Sequence, residues 1–403
     1  MSNPLVILDT MPSAADFYGL YWNRHPFVVR GAIPEDTMQG LIAADELAGL
    51  SMEEAPQSRM VMTAGNQQDW SCRFGPFCEE DFNTAGDTDW SLLVQNVEQF
   101  HPDTAALLRH FSFAPRWLMD DIMVSFSAKG GSVGPHIDSY HVFLVQGQGR
   151  RRWKVGREPI KDEVYIEGID LKILKGEFDG DEIEASCGDV LYLPPKFGHE
   201  GTTLDSALTF SVGFLGPKLS ELFSGYGQYL SEMEDRDQRY VGDGLEGDSA
   251  GFAISRAAVG DLRDHLTKHL NAPDFTQWLV EFFSESSHED FGNYTEREET
   301  LSTAAFAEKL KEGARLIKPP YVKFAITPSP SGTFYLGFDR QSFILDERLF
   351  SLIQKFMKEE SVNATSHPAL LDHPATLECL LALYNHEALE FTATSKREST
   401  HKM

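Results

Sequence analysis

The chain has 403 residues, of which 41% are hydrophobic and 11% aromatic, so it can form two or three packed domains and is not a disordered polymer. Its formal net charge of -27 argues against binding to nucleic acid, because phosphates are repelled unless a local basic patch exists. We see no signal peptide, no apolar run of membrane-spanning length and no CxxC pair among the four cysteines, so we expect a cytoplasmic protein without a disulfide framework.

The chain up to residue 216 has the pattern of a domain built mainly from short strands. A strand-like segment, FVVRGAI, begins at Phe27, and further runs rich in Val, Phe, Tyr and Ile follow it: DDIMVSFSAKGG, HVFLVQGQG, RRRWKVG and DVLYLPP. Glycine or proline bounds each run, which is typical of turns between strands. We therefore expect residues 1–216 to form a barrel or a sandwich together with N-terminal helices and strands.

Residues 217–292 have a helical pattern instead. A helix is predicted to begin after Pro217, because proline fits the first turn of a helix. Large apolar residues then recur at helical spacing, at positions 262, 266, 270, 275, 278, 279, 282 and 283. So many large apolar groups on a short helical stretch indicate an interface, and we interpret residues 217–292 as a helical dimerisation region.

Residues 293–403 combine helices with a short pair of strands. Helices are predicted for TAAFAEKLKEG, for DERLFSLIQKFMKEE and after Pro374, and strands for FYLGF and SFILD. Helices with a two-stranded wing are similar to a winged-helix domain. The segment is not basic, so we favour a structural or interaction role over DNA binding.

The tripeptide His136-Ile137-Asp138 is the first candidate for chemistry. Residues i and i+2 of a strand point to the same face, so His136 and Asp138 would point into one cavity. The tripeptide alone is a weak signal, because many chains carry it only as the polar end of a strand.

The residues around this tripeptide follow the first signature of cupin barrels. Gly130 stands six residues before His136, and Gly149 closes the pattern. Asp138 takes the place of a second histidine, and Val142 takes that of a glutamate.

The second cupin signature follows in the stretch GDVLYLPPKFGH. Gly188 leads to Pro194 and then to His199, with Lys196 in the place of an inner glycine. Both signatures in one chain, in the right order, form a fairly specific pattern. The alternative for His199 is an ordinary loop histidine after two prolines.

Together the two signatures leave two histidines and one carboxylate: His136, Asp138 and His199. This set is typical of non-haem Fe(II) oxygenases, because it leaves coordination positions open for substrates. Zinc is the main alternative metal, since histidine and aspartate also suit it. His141 lies close by but points the opposite way by strand parity, so we give it a background role.

Three consecutive arginines follow the tripeptide after a glycine-containing turn. By alternation Arg151 and Trp153 share one face of a strand, and Arg150 and Arg152 share the other. The planar fork of arginine binds a carboxylate with two hydrogen bonds, as a 2-oxo acid co-substrate would require. Parity does not carry through the turn, so it leaves open which face points inward and which is a solvated basic edge.

With these residues the chain resembles the jumonji-C family of 2-oxoglutarate oxygenases, and within it the bacterial ribosomal oxygenases. The resemblance runs along most of the chain and is weakest at its C-terminal part. It is carried by the stretches RHPFVVRG, DELAGL, DWSLLVQNV, DDIMVSFSAKGGSVGPHID, GRRRWKVG, GDVLYLPPKFGHEG and SVGF.

The resemblance implies a fold and a set of site residues. The fold is mixed α and β: a double-stranded β-helix (the cupin or jumonji-C barrel), a helical dimerisation region and a C-terminal winged-helix domain. His136, Asp138 and His199 match the iron ligands of the family, and Arg151 matches the residue that pairs with the distal carboxylate of 2-oxoglutarate. Ser125 matches a polar position in the co-substrate pocket.

The resemblance also implies an activity. The expected reaction uses Fe(II), 2-oxoglutarate and O2 to hydroxylate an arginine side chain of a large-subunit ribosomal protein, number sixteen in the bacterial series, and gives succinate and CO2. The acidic chain would attract such a basic partner and would form a homodimer, with neither nucleic acid nor membrane as a direct partner. The alternatives are a histidyl hydroxylase of another ribosomal protein, a non-catalytic cupin-type binding protein, and a metal-dependent isomerase.

Overall fold

The fold is that of a computed structural model, which describes residues 4–63, 70–233, 235–242, 252–285, 297–358, 361–365, 367–368, 371 and 373–392. The chain divides into two compact units, Met1–Gly216 and Pro217–Met403. No helix among these described residues is long and apolar enough to cross a membrane.

The first unit contains twelve strands in its described part. In chain order they are β1 (Val6–Leu8), β2 (Phe27–Val29), β3 (Ser58–Met62), β4 (Ser71–Phe74), β5 (Trp90–Val94), β6 (Met119–Ser127), β7 (His141–Gln148), β8 (Arg151–Pro159), β9 (Gly180–Ala185), β10 (Val190–Leu193), β11 (Phe197–Thr203) and β12 (Ala207–Phe214). Nine of them form one sheet in the order β1-β2-β10-β7-β12-β6-β5-β3-β4, and β11-β8-β9 form a second sheet.

Short helices accompany these strands. They are α1 (Ala14–Asp16), α2 (Glu35–Gln39), α3 (Ala44–Leu50), α4 (Glu79–Ala85), α5 (Val97–Phe100) and α6 (Pro102–Ala105), with a π-helical turn at Phe17–Tyr21 and 3-10 helices at Ala106–Phe111 and Arg116–Leu118.

The larger sheet separates a hydrophobic core from the interior of the barrel. Along β7, Phe143 and Val145 pack into the main core, whereas Val142 and Leu144 face the second sheet, where Trp153 of β8 joins their cluster. This alternation is the normal consequence of strand geometry. The two sheets therefore face each other as the layers of a barrel, in agreement with the predicted double-stranded β-helix.

The second unit combines helices with two small sheets. Its helices are α7 (Leu219–Ser231), α8 (Arg256–Leu270), α9 (Pro273–Ser284), α10 (Thr303–Lys311), α11 (Glu347–Met357) and α12 (Pro374–Asn385). Its strands are β13 (Leu316–Ile317), β14 (Ala325–Pro328), β15 (Phe334–Phe338), β16 (Gln341–Leu345) and β17 (Glu390–Phe391). The antiparallel pair β15-β16 confirms the two predicted strands, and β14 and the pair β13-β17 add to them.

Helix α9 packs closely on β15. A Cβ on Gly337 would collide with the backbone carbonyl of Val280, so glycine is what allows the helix and the strand to approach this far. The residues predicted as a helical region and those predicted as a winged-helix domain thus lie in one compact unit.

Candidate functional site

The two segments that carry the predicted metal ligands are hydrogen-bonded to each other. The backbone N–H of His136 donates to the carbonyl of His199, and the N–H of His199 donates to the carbonyl of His136, both at 2.9 Å. Asp138 follows on the first segment, and its Oδ2 lies 3.5 Å from Nε2 of His199. One potential ligand atom from each of the three residues lies within 4.8 Å of the others, so the group could hold one metal ion.

Both imidazoles are oriented by backbone carbonyls. Nδ1 of His136 lies 2.9 Å from the carbonyl oxygen of Gly134, and Nδ1 of His199 lies 3.1 Å from that of Phe197. A carbonyl can only accept, so each Nδ1 carries the proton and each Nε2 is left with a free lone pair. Such a second hydrogen bond is what fixes the tautomer and ring of a metal-binding histidine.

The environment also keeps His199 neutral. Its side chain is buried, and burial together with the neighbouring His136 lowers the pKa of His199 to about 4. A metal ion binds the neutral form of imidazole, so this donor is ready for a metal at neutral pH. Two imidazoles and a carboxylate are a donor set that fits Fe(II).

Arg151 is a buried cation without a carboxylate partner among the described residues. It is 3% exposed, its Nη atoms lie 3.4 Å from Thr209 Oγ1 and from the Gly201 carbonyl, and its Nε has no hydrogen-bond partner. The guanidinium lies over the ring of Trp153, 4.9 Å from its centroid. Burial lowers the pKa of Arg151 to about 10, so an anion beside it would be stabilised.

Arg151 lines one cavity of about 460 Å³ together with His136 and Asp138. Ser125 also lines it, and its hydroxyl donates to the carbonyl of Thr209 at 3.4 Å. Arg150 and Arg152 instead form exposed ion pairs with Asp205 and Glu184. The inward face of β8 is thus the one that carries Arg151.

The opposite end of the cavity is acidic. Asp120 and Asp121 line it, and a Cβ built on Gly213 would lie 3.3 Å from Oδ1 of Asp121 and 3.6 Å from the ring of Tyr140. Thr209, beside Arg151, is four residues before Gly213 on β12, which corresponds to about 13 Å along a strand. The cavity therefore has a cationic end and an acidic end.

Other charged side chains reach the cavity as well. Arg59 and Lys172 add positive charge, and Asp170 adds negative charge. Outside the metal-binding group and Arg151, the three carboxylates of Asp120, Asp121 and Asp170 outnumber these two cations. The part of the cavity outside these groups therefore favours an entering side chain with positive charge.

His141 is directed away from the cavity, as strand parity predicts. Its Nδ1 lies 2.8 Å from the hydroxyl of Tyr192, and its ring stacks on Trp22 with 3.4 Å between centroids. Burial lowers the pKa of His141 to about 4. It is a neutral core histidine.

Lys196 stands where the cupin signature has a glycine, and it adopts the backbone conformation that glycine favours. Its φ is +68°, in the left-handed region. Its N–H donates to the carbonyl of Asp138 at 2.8 Å, and its own carbonyl accepts from Ile160 at 2.8 Å. The loop before His199 thus keeps its turn despite the substitution.

Sequence reasoning missed the acidic end of the cavity. Strand parity from Ser125 back along β6 places Met123 and Asp121 on the same inward face, and this signal was present in the stretch DDIMVSFS. The contributions of Tyr140 and Gly213 depend on pairing between strands that are distant in sequence.

The chain is similar to proteins of one family. Residues 106–222, which contain His136, Asp138, Arg151 and His199, match the JmjC domain family. The chain is 38% identical to ribosomal protein uL16 3-hydroxylase of Escherichia coli (strain K12) over 282 residues, which cover 68% of this chain and 72% of that relative.

Two solved structures of YcfD, a ribosomal oxygenase from Escherichia coli, are similar over nearly the whole chain. The complex with cobalt and 2-oxoglutarate has a TM-score of 0.78 at 32% identity and covers 94% of this chain and 98% of that one. The complex with cobalt and succinic acid has a TM-score of 0.76 at 31% identity, with the same coverage of both chains.

Proposed function

The chain belongs to the JmjC-domain ribosomal oxygenases and is a 2-oxoglutarate-dependent hydroxylase, and from this premise we propose that it hydroxylates an arginine side chain of a ribosomal protein. The proposed substrate is the large-subunit protein that is number sixteen in the bacterial series. The Escherichia coli relative is named for the same ribosomal protein. We place this activity in the cytoplasm, where ribosomes are assembled.

We assign His136, Asp138 and His199 as the ligands of Fe(II). Their donor atoms converge, and both imidazoles have their Nδ1 protons bound to backbone carbonyls. When bound, Fe(II) with 2-oxoglutarate and O2 supplies the oxidation that converts a C–H bond to C–OH, with succinate and CO2 as the other products. Three protein ligands leave room on the metal for a chelating co-substrate and for oxygen.

We assign Arg151 to the distal carboxylate of 2-oxoglutarate. Its guanidinium is buried, lacks a carboxylate partner among the described residues, and faces the cavity that two of the proposed ligands, His136 and Asp138, also line. A carboxylate at this point would satisfy the orphan Nε–H and neutralise the buried charge. The hydroxyls of Thr209 and Ser125 line the same end and offer further hydrogen bonds.

The observation that carries the arginine assignment is the charge arrangement of the cavity. One end has an unpaired buried cation and the other has Asp120 and Asp121, with His136 and Asp138 lining the same cavity. A dicarboxylate suits the first end, and a guanidinium suits the second, because carboxylates bind its fork with charge-assisted hydrogen bonds. A cationic side chain held there is presented to the reactive centre in a fixed orientation.

The net charge of the chain supports a basic protein partner. A charge of -27 attracts a basic ribosomal protein and speeds their encounter. Association should weaken as ionic strength rises, because salt screens exposed charges. An apparent affinity that does not change with salt would remove steering as the reason for the acidity.

We also propose that two copies pair through residues 217–292 and that residues 293–403 form a winged-helix-like interaction domain. Leu219 and Phe223 of α7 are 70% and 55% exposed, and Leu266 of α8 is 62% exposed. Large apolar groups at helical spacing favour burial in an interface. Light scattering on wild type and Leu266→Asp tests this, with a dimer expected for the first and a monomer for the second.

Mass spectrometry of ribosomal proteins tests the proposed reaction. Cells with the gene should carry one extra oxygen atom on a single arginine of the proposed substrate, and cells in which Asp138→Ala replaces the wild type should not. A modified histidine in another ribosomal protein would move the assignment to a histidyl hydroxylase. No difference between the two strains in any ribosomal protein would contradict the proposed function.

A further inference from the structure

Two acidic side chains join the start of α5 to β6 by reciprocal hydrogen bonds. Oε2 of Glu98 accepts the backbone N–H of Ile122 at 2.8 Å. The carboxylate of Asp121 accepts the backbone N–H of Asn96, whose left-handed conformation, with φ of +57°, lies directly before α5. Each acid thus binds a backbone donor of the segment that carries the other.

Glu98 lies behind the cavity rather than in it. Its side chain is 3% exposed, and it does not line the cavity that Asp121 faces. The charged groups that act on it come from β6 and are Asp120 and Asp121, both acidic. Asp103 of α6 is exposed, and the ring of His101, the residue before α6, is hydrogen-bonded to Thr104.

These surroundings determine which form of Glu98 is stable. Burial, followed by the charges of Asp121 and Asp120, raises the pKa of Glu98 to about 8. Glu98 is therefore a neutral carboxylic acid at neutral pH. An acid in this form still accepts a hydrogen bond from Ile122 through its carbonyl oxygen.

Asp121 is poised to change its charge. Burial and the neighbouring Asp120 raise the pKa of Asp121 to about 7, while the N–H of Asn96 and the charge of Arg59 oppose that shift. Tyr140 packs against the same glycine of β12 and is neutral, because burial raises its pKa well above the usual value. A cation that enters the cavity would favour the ionised form of Asp121.

We propose that Glu98 is a positioning residue for the substrate: as a neutral acid it holds Asp121 at the cavity wall and lets Asp121 become the anion that binds a cationic side chain. This inference rests on the proposed function for the nature of the substrate. The proton that leaves Asp121 on binding passes to solvent, and Glu98 keeps its own. Substrate binding is thereby coupled to pH through Asp121.

The protonation of Glu98 can be tested without any substrate. The folded protein holds a proton on Glu98 up to about pH 8, whereas the unfolded chain releases it near its ordinary value, so wild type should lose stability as pH rises between these limits. Glu98→Gln cannot lose a proton. The melting temperature of Glu98→Gln relative to wild type should therefore rise by several degrees, on the order of 5 °C, from pH 5 to pH 8.

A matched control exists on the protein surface. Oε2 of Glu46 accepts the backbone N–H of Ala43 at 2.9 Å, which is the same kind of bond in an exposed position. Glu46→Gln should show no such change of relative melting temperature with pH. In infrared spectra at pH 7, Glu98→Gln should lose a carboxylic acid C=O absorption that wild type and Glu46→Gln retain. A relative melting temperature independent of pH, or an unchanged infrared spectrum, would overturn the proposal.

The positioning role is tested with an arginine peptide of the substrate protein. Glu98→Gln keeps the bond to Ile122, so its peptide KM at pH 7 should stay within about twofold of wild type, whereas Glu98→Ala should raise it about tenfold. The KM for 2-oxoglutarate should not change in either variant. In wild type the peptide KM should rise about tenfold per pH unit below pH 7, because protonated Asp121 no longer attracts the cation.

The outcomes separate this inference from the proposed function. If Glu98→Gln raises the peptide KM as much as Glu98→Ala, Glu98 acts as a charge and the positioning role is wrong. If wild type turns over no arginine peptide at any pH, the proposed substrate is wrong, and the melting and infrared experiments still decide whether Glu98 carries a proton. If Glu98→Ala does not fold, Glu98→Gln alone decides.

Discussion

Replacement of Arg151 by methionine should separate the stability of this enzyme from its affinity for the co-substrate. Burial lowers the pKa of Arg151 to about 10. A shift of this size corresponds to about 3 kcal/mol, and arginine stays protonated at neutral pH, so the folded protein bears this cost until an anion enters. Methionine keeps the apolar stem and removes the charge, so Arg151→Met should be more stable than wild type by about 1–3 kcal/mol in the absence of 2-oxoglutarate.

The same substitution should weaken binding of 2-oxoglutarate. A hydrogen bond to a charged group contributes about 1.5–3 kcal/mol, so its loss corresponds to an increase of about 10–150-fold in the KM for this co-substrate. Succinate formation at varied 2-oxoglutarate measures the KM. Thermal denaturation with and without 2-oxoglutarate measures the stability, and a given concentration of co-substrate should raise the melting temperature of wild type more than that of Arg151→Met.

Arg152→Met is the matched control for this experiment. Arg152 is the next residue of the same strand, but it is exposed and paired with Glu184 at 2.8 Å. Its replacement should leave the KM for 2-oxoglutarate unchanged, because exposed ion pairs contribute little and its face of β8 points away from the cavity. A normal KM in Arg151→Met, or a raised one in Arg152→Met, would refute the assignment of the anchor.

Three further predictions concern the metal-binding group, the core and the second unit. Asp138→Ala should abolish turnover of 2-oxoglutarate, while an unchanged near-ultraviolet circular dichroism spectrum should show that the fold is intact. Normal turnover would contradict the assignment of Asp138 as a metal ligand. The pKa of His141 is lowered to about 4, so the unfolded chain takes up a proton near pH 6.5 and the folded protein does not. The free energy of unfolding should therefore fall by up to about 3 kcal/mol from pH 7 to pH 4. In denaturant titrations His141→Phe should lose part of this pH dependence, and an unchanged pH dependence would contradict the prediction. Gly337→Ala should destabilise the second unit by about 3 kcal/mol, because the new Cβ would collide with the backbone of α9. The control is Gly227→Ala in α7, whose Cβ would meet no atom within 4 Å, so this variant should be neutral or slightly more stable. Equal melting temperatures of the two variants would contradict the prediction.

The convergence of the three proposed metal ligands could be predicted from the sequence because its signals are local. The spacing of His136 and Asp138 predicts that both point into one cavity, although the structure has an isolated bridge at His136 and not the strand that we expected there. The second cupin signature supplies His199. The pairing that joins the two segments is formed by backbone atoms, so it needs no particular side chain between them. The inward face of β8 could not be predicted from strand parity, because it depends on the conformation of the turn before β8. Only the resemblance to a family indicated that Arg151 points inward.

The acidic end depends on residues that the sequence places far apart. Asp121 is near Asn96 and Glu98 because α5 packs on β6, and it is near Gly213 because β12 pairs with β6. No local pattern marks Glu98, since a glutamate in a short helix is usually exposed. In the second unit, too, the strands β15 and β16 could be predicted from the sequence, but the contact of α9 with β15 could not. That contact depends on Gly337 lying opposite the backbone of Val280.

The composition of β12 explains why the barrel has a cavity at all. Its outward residues Phe210, Val212 and Phe214 fill the main core, whereas its inward positions carry small side chains at Thr209, Ser211 and Gly213. Large inward residues would fill the barrel, as they do in barrels without a ligand. Because the inward residues of β12 are small, the side chains at the two ends of the cavity determine what binds. Arg151 favours an anion at one end, and Asp121 favours a cation at the other. In the proposed reaction 2-oxoglutarate meets the first requirement, and an arginine side chain would meet the second with its guanidinium, which would place a carbon a few bonds away near the proposed metal ligands.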